Sequence, residues 1–86
     1  MGKQLEKMKQ RLLSAPSDYA FSEAETLLGN LGFKRKKGGK TSGSRVKFIR
    51  EKDNRRIYLH KPHPRNIMGK YTIRDLISTL RDMGDL

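Results

Sequence analysis

Between residues 45 and 60 the apolar side chains fall on every second position. Val46 and Phe48 alternate with Arg45 and Lys47, and Ile57 and Leu59 alternate with Tyr58 and His60. A period of two is that of an extended strand, whose successive side chains point to opposite faces. Asp53-Asn54 lies between the two runs, and both side chains tolerate the positive φ of a two-residue hairpin turn. A turn there sets Phe48 opposite Leu59, Lys47 opposite His60 and Glu51 opposite Arg56. Such a hairpin has one apolar face and one cationic face. The rest of the chain must therefore cover Val46, Phe48, Ile57 and Leu59.

Three helical segments are available to do so. Leu5, Met8 and Leu12 have helical spacing in a first helix over 3–13, which Pro16 closes. Ser22 with Glu25 reads as a capping box, and Phe21, Ala24, Leu27, Leu28 and Leu31 follow along one face before Asn30 and Gly32 stop the helix. A third helix begins near Thr72, with Ile73, Leu76, Ile77 and Leu80 at i, i+3, i+4 and i+7, and Gly84 as its cap. "GFKRK", after the second helix, is expected to add a short edge strand guarded by its cations. The predicted fold class is α+β: a small three-stranded antiparallel sheet with helices on one face, in the order α-β-β-β-α, plus an extra N-terminal helix. At 86 residues one domain spanning 1–86 is expected. Tyr71, just before the last helix, is expected to pack.

Charge is distributed unevenly. The chain carries +11, but residues 1–33 hold four basic and four acidic side chains, whereas residues 34–56 hold eleven basic against two acidic. A cationic middle between nearly neutral flanks is the footprint of a polyanion-binding surface. The absence of cysteine excludes a disulfide framework and a thiolate zinc site, and fits a reducing compartment. No apolar run approaches the ~20 residues of a membrane span, and "MGKQLEKMKQRLL" has no signal-peptide core. A soluble, cytoplasmic protein is expected.

The stretch "KRKKGGKTSGSR" at 34–45 contains six cations, three glycines and three hydroxyls, with nothing apolar or acidic. Glycines let a backbone approach a phosphate, and lysine, arginine and serine supply attraction and donors. Lys37, Lys40, Ser42, Ser44, Arg45 and Lys47 are therefore candidate polyanion-binding residues, contacting phosphates. Tyr58 joins them, either stacking on a base or merely suiting a strand. "GGKTS" is no P-loop, because the glycine required five positions before Gly39 is Lys34. Asp75, Asp82 and Asp85 are spread along the last helix and form no cluster, which disfavours a two-metal nuclease. Neither a metal site nor a small-molecule cofactor is expected.

Residues 21–84 resemble the HicA toxins of bacterial toxin–antitoxin pairs. "LLGNLGFK" leads into the sheet, "GKTSGSRVKF" supplies glycine loop and second strand, and "IYLHKPHPRNIMGKYTIRDLISTLRDMG" supplies third strand, His-Pro exit and last helix. The resemblance implies a fold like that of double-stranded-RNA-binding domains, metal-free mRNA cleavage, and silencing by a HicB-like antitoxin. It departs at one point. Many family members read Gly-Ser-His, with a catalytic histidine, where this chain reads Gly43-Ser44-Arg45. Arginine stays protonated and cannot act as a base.

Two histidines are left, His60 and His63, in "LHKPHPR". Histidine suits acid and base roles because its free pKa is ~6.5. His60 falls on the open face beside Lys47 and near Arg45. His63 lies between Pro62 and Pro64. Either or both could serve as acid or base; equally, both could bind phosphate or pack at the strand exit. Three functions stay open: an RNA-cleaving toxin, a non-catalytic RNA-binding module of the same fold, and a domain whose basic face engages an acidic protein.

Overall fold

The structure is a computed structural model and describes residues 2–36, 45–62 and 65–86. Its elements run α1 (Gly2–Leu13), α2 (Phe21–Asn30), β1 (Lys34–Lys36), β2 (Arg45–Arg50), β3 (Arg55–His60) and α3 (Lys70–Asp82). The strands form one antiparallel sheet in the order β1-β2-β3. This is the expected α+β fold, with its additional N-terminal helix. Among the described residues no helix is long and apolar enough to cross a membrane.

The two-residue alternation divides the sheet as expected. Val46, Phe48, Ile57 and Leu59 are buried and join one core with Leu12, Phe21, Ala24, Leu27, Leu28, Ile73, Leu76 and Leu80 from the three helices. Fully burying a side chain of this size contributes about 1.5–3 kcal/mol, so this one layer carries the fold. Helix α1 sends Leu12 into the core, with Leu5 and Met8 packed against it. Tyr71, expected to pack, is instead 80 % exposed. It lies in the first turn of α3, on the side away from Ile73 and Leu76.

The hairpin register differs from the expectation. Phe48 faces Ile57, Val46 faces Leu59, Lys47 faces Tyr58, Arg45 faces His60, and Ile49 rather than Glu51 faces Arg56. The turn is four residues long, 51–54, with Arg50 opposite Arg55. The reason is electrostatic. Asp53 is drawn to the Arg50 guanidinium at 2.8 and 2.9 Å, and also lies 3.9 Å from Arg55. One carboxylate thus sits between two arginines that would otherwise repel directly across the strands. Asn54 closes the turn at φ +55°, the left-handed conformation Asn tolerates.

The cap of α2 also shifts. Ala20 precedes the helix, and the Glu23 carboxylate accepts its N–H at 2.9 Å. Ser22 therefore lies inside the helix, and Glu25 accepts from Arg35 of β1 at 2.6 Å. Arg11 of α1 donates to Glu23 and Asp18. Helix α3 starts two residues before Thr72, because the backbone of 66–68 is pinned by Phe21 N–H to Asn66 and Met68 N–H to Tyr19, both 2.8 Å. Ile73 N–H then donates to Gly69 as the first helical bond.

Both α2 and α3 end in the same motif. Gly32 donates to Gly29 and Phe33 to Leu28; Gly84 donates to Arg81 and Asp85 to Leu80. Gly32 and Gly84 have φ of +96° and +84°, which only glycine adopts without strain. Arg50 joins the two ends. Its guanidinium donates to the Leu31 carbonyl and to both Asp85 oxygens, at 2.9–3.0 Å, and lies 4.7 Å above the Phe33 ring.

Candidate nucleic-acid interface

Strand parity places each polar side chain of the sheet. Arg45, Lys47 and Ile49 of β2 share the face opposite the core, and their register partners in β3 are His60, Tyr58 and Arg56. On β1, Lys36 faces Lys47 and Lys34 faces Ile49, so both lysines join this face, while Arg35 faces Phe48 and turns to the helices. Five cations, one imidazole and one phenol are thereby gathered on a layer that, among the described residues, no helix covers. Most are exposed, and Tyr58 is half-exposed at 50 %.

The ion pairs lie elsewhere. Among the described residues, they join Arg11 to Asp18 and Glu23, Arg35 to Glu25, Arg50 to Asp53 and Asp85, and Arg55 to Asp53. Each involves a helix residue or a strand residue of the packed parity. None involves Lys34, Lys36, Arg45, Lys47 or Arg56. Among the described residues, the paired carboxylates meet arginines of α1 and of the packed side, and none meets a cation of the open face. A field of one sign over an exposed surface attracts polyanions and speeds their encounter.

Arg45 lies over the Tyr58 ring, 5.4 Å from its centroid. At an exposed site such a contact contributes about 0.5–1 kcal/mol. Tyr58 keeps half of its surface exposed beside this contact, and an exposed aromatic ring is a platform on which a base can stack. His60 lies directly across from Arg45 and makes a contact of its own.

Beside this face, a groove of about 610 Å³ runs between β3 and α3. It is lined by Arg45, Arg56, Tyr58 and His60 on the sheet side, and by Thr72, Asp75 and Thr79 on the helix side.

Of the residues singled out in the sequence, Arg45, Lys47, Tyr58 and His60 are brought together. Lys37, Lys40, Ser42, Ser44 and His63 lie outside the described residues. Lys34, Lys36 and Arg56 were not picked out individually, although alternation with Arg35 and Ile57 was the available signal. Arg50 was missed as a structural residue. Its signal was a charge at the parity of Val46 and Phe48. Among the described residues no three His, Asp or Glu side chains are grouped so that they could hold a metal ion.

The fold and this face define a class: a small α+β protein whose sheet is packed by helices on one side and presents cations on the other. The model of the family described as HicA toxin of bacterial toxin-antitoxin matches residues 21–84, and the chain belongs to that family. Helix α1 and the loop after it precede the matched region. Neither the curated proteins nor the solved structures give a significant match.

Proposed function

We propose that this toxin binds single-stranded mRNA on the open face of its sheet, cleaves it without a metal, and is silenced by a HicB-like antitoxin covering that face. The observation that supports the reading is the separation of charge. Four exposed cations and the half-buried Lys47 share one layer with Tyr58 and His60, and among the described residues the ion pairs lie on the other side.

In this mechanism a base takes the proton of a ribose 2′-hydroxyl as its oxygen attacks phosphorus. An acid protonates the departing 5′-oxygen, leaving a cyclic phosphate and a free 5′-hydroxyl. His60 and His63 are the candidates for these two roles. Arg45 and Lys47 offset the charge that grows on the phosphorane, Tyr58 stacks a base, and Lys34, Lys36 and Arg56 draw in the flanking phosphates. Lys37, Lys40, Ser42 and Ser44 of the glycine-rich segment add phosphate contacts. The antitoxin meets the same cations with acidic side chains.

The test is cleavage of a single-stranded RNA by the purified chain and by a His60→Ala, His63→Ala double variant. Loss of cleavage with RNA affinity retained is expected; cleavage at the parent rate by the double variant removes the histidines from the chemistry. Binding should weaken steeply with salt, with a slope of about 0.7 per neutralised phosphate. Absence of binding at low salt would leave a domain that engages an acidic protein.

One residue favours a second reading, an RNA-binding module that does not cleave. Arg45 stands where the Gly-Ser-His motif of the family carries histidine. If the parent binds RNA without cutting it and Arg45→His cuts, the second reading holds.

A further inference from the structure

The three strands leave two edges, and the edges differ. Edge β1 is three residues long, and all three are cationic: Lys34, Arg35 and Lys36. Short, charged edges resist pairing with other chains. Edge β3 is six residues long and alternates exposed and buried side chains from Arg56 to His60. Among the described residues no backbone hydrogen bond joins Arg56 or Tyr58 to anything outside the sheet. In an antiparallel strand paired on one side, alternate residues direct N–H and C=O outward. The groove of about 610 Å³ runs along this edge, lined by Arg56 to His60 of β3, and its far wall is α3. A volume of this order is typical of ligand sites.

We propose that this groove seats an extended acidic segment of a partner protein as a fourth strand, hydrogen-bonded to β3 and flanked by α3. Three observations select that occupant. First, the exposed strand edge offers a backbone ladder, which an extended polypeptide can complete and an RNA strand cannot. Second, the sheet side of the groove carries Arg45, Arg56 and His60, so acidic side chains at alternate positions are matched. Third, a second copy of this chain is disfavoured, because "RRIYLH" contains no acid and would meet its own arginines. On the helix side, Thr72 and Thr79 offer hydroxyls, and Asp75 requires a donor from the incoming strand. The segment belongs to the antitoxin on the reading above, but pairing with β3 is independent of RNA cleavage.

The probe is a six-residue acetylated, amidated peptide alternating glutamate and valine, titrated into the ¹⁵N-labelled full chain. Two further peptides carry N-methyl groups on one or the other set of alternate residues. Shifts are expected at Arg56 to Leu59 and at Thr72, Asp75 and Thr79. One methylated peptide should bind about tenfold more weakly while the other binds like the parent, since only one set faces β3. Arg56→Glu should also weaken binding about tenfold. Equal binding of both methylated peptides would mean charge attraction without strand pairing and would overturn the proposal. So would shifts confined to α1 and α2, self-association of the chain through β3, or oligouridine shifting Thr72 and Thr79 as the peptide does. Failure of RNA cleavage leaves this titration unaffected, so the two readings fail separately.

Discussion

Arg45 and Arg50 occupy the two ends of β2, five residues apart, and have opposite fates. Arg50 is 7 % exposed and held by Asp53, Asp85 and the Leu31 carbonyl. Arg45 is exposed, stacks on Tyr58 and, among the described residues, has no carboxylate within ion-pair distance. The difference follows from strand parity. An odd step from Arg45 turns Arg50 to the packed side, where a charge must be paired. One arginine has its counter-charges within the fold, whereas the other, among the described residues, has none within ion-pair distance.

The comparison breaks most easily at Arg50. Arg50→Ala leaves two carboxylates and a carbonyl without their donor, and should cost about 3 kcal/mol in denaturant unfolding. Arg50→Lys, with charge but no fork, should recover part of this. Arg45→Ala should stay within about 0.5 kcal/mol of the parent. Equal losses at the two positions would show that the open face is also structural. A smaller effect is expected at Gly32, where φ is +96° and a Cβ would lie 3.2 Å from Arg50 Cδ. Gly32→Ala should cost about 1–2 kcal/mol, with the steric part relieved in an Arg50→Ala background.

The smallest effect is on acid stability. The Arg50 hydrogen bonds hold Asp53 below its ordinary 3.8, and Arg11 holds Glu23 below its ordinary 4.5. A carboxylate with a depressed folded value stabilises fully above its unfolded value and ceases to do so as pH falls through the folded one. Unfolding measured from pH 6 downward should therefore show these contributions fading below about pH 4. Arg50→Ala should remove Asp53's share and leave that of Glu23. An unchanged acid profile in that variant would contradict the assignment of Asp53 to Arg50.

Much of this was legible in the sequence, because the period of two depends on few residues. Val46, Phe48, Ile57 and Leu59 fixed which side carries helices, and so which side carries Arg45, Lys47, Tyr58 and His60. The register was misjudged by two residues without moving any of them to the wrong face, since a shift of two preserves parity. Local turn chemistry pointed at Asp53-Asn54; the turn instead opened to four residues around the Asp53 contact with Arg50. The latch at Arg50 was hidden because its partners Leu31 and Asp85 are 19 and 35 residues away. Glu23, rather than the expected Glu25, caps α2 for a similar reason. Spacing identifies a cap, but Arg35 on β1 determines which carboxylate is already engaged.

Lys36 directly faces Lys47, a juxtaposition of like charges that a sheet ordinarily avoids. The ligand-free fold is thus electrostatically frustrated at the spot where an anion would be most welcome. An anion placed there, phosphate or carboxylate, would relieve that repulsion and so stabilise the folded chain.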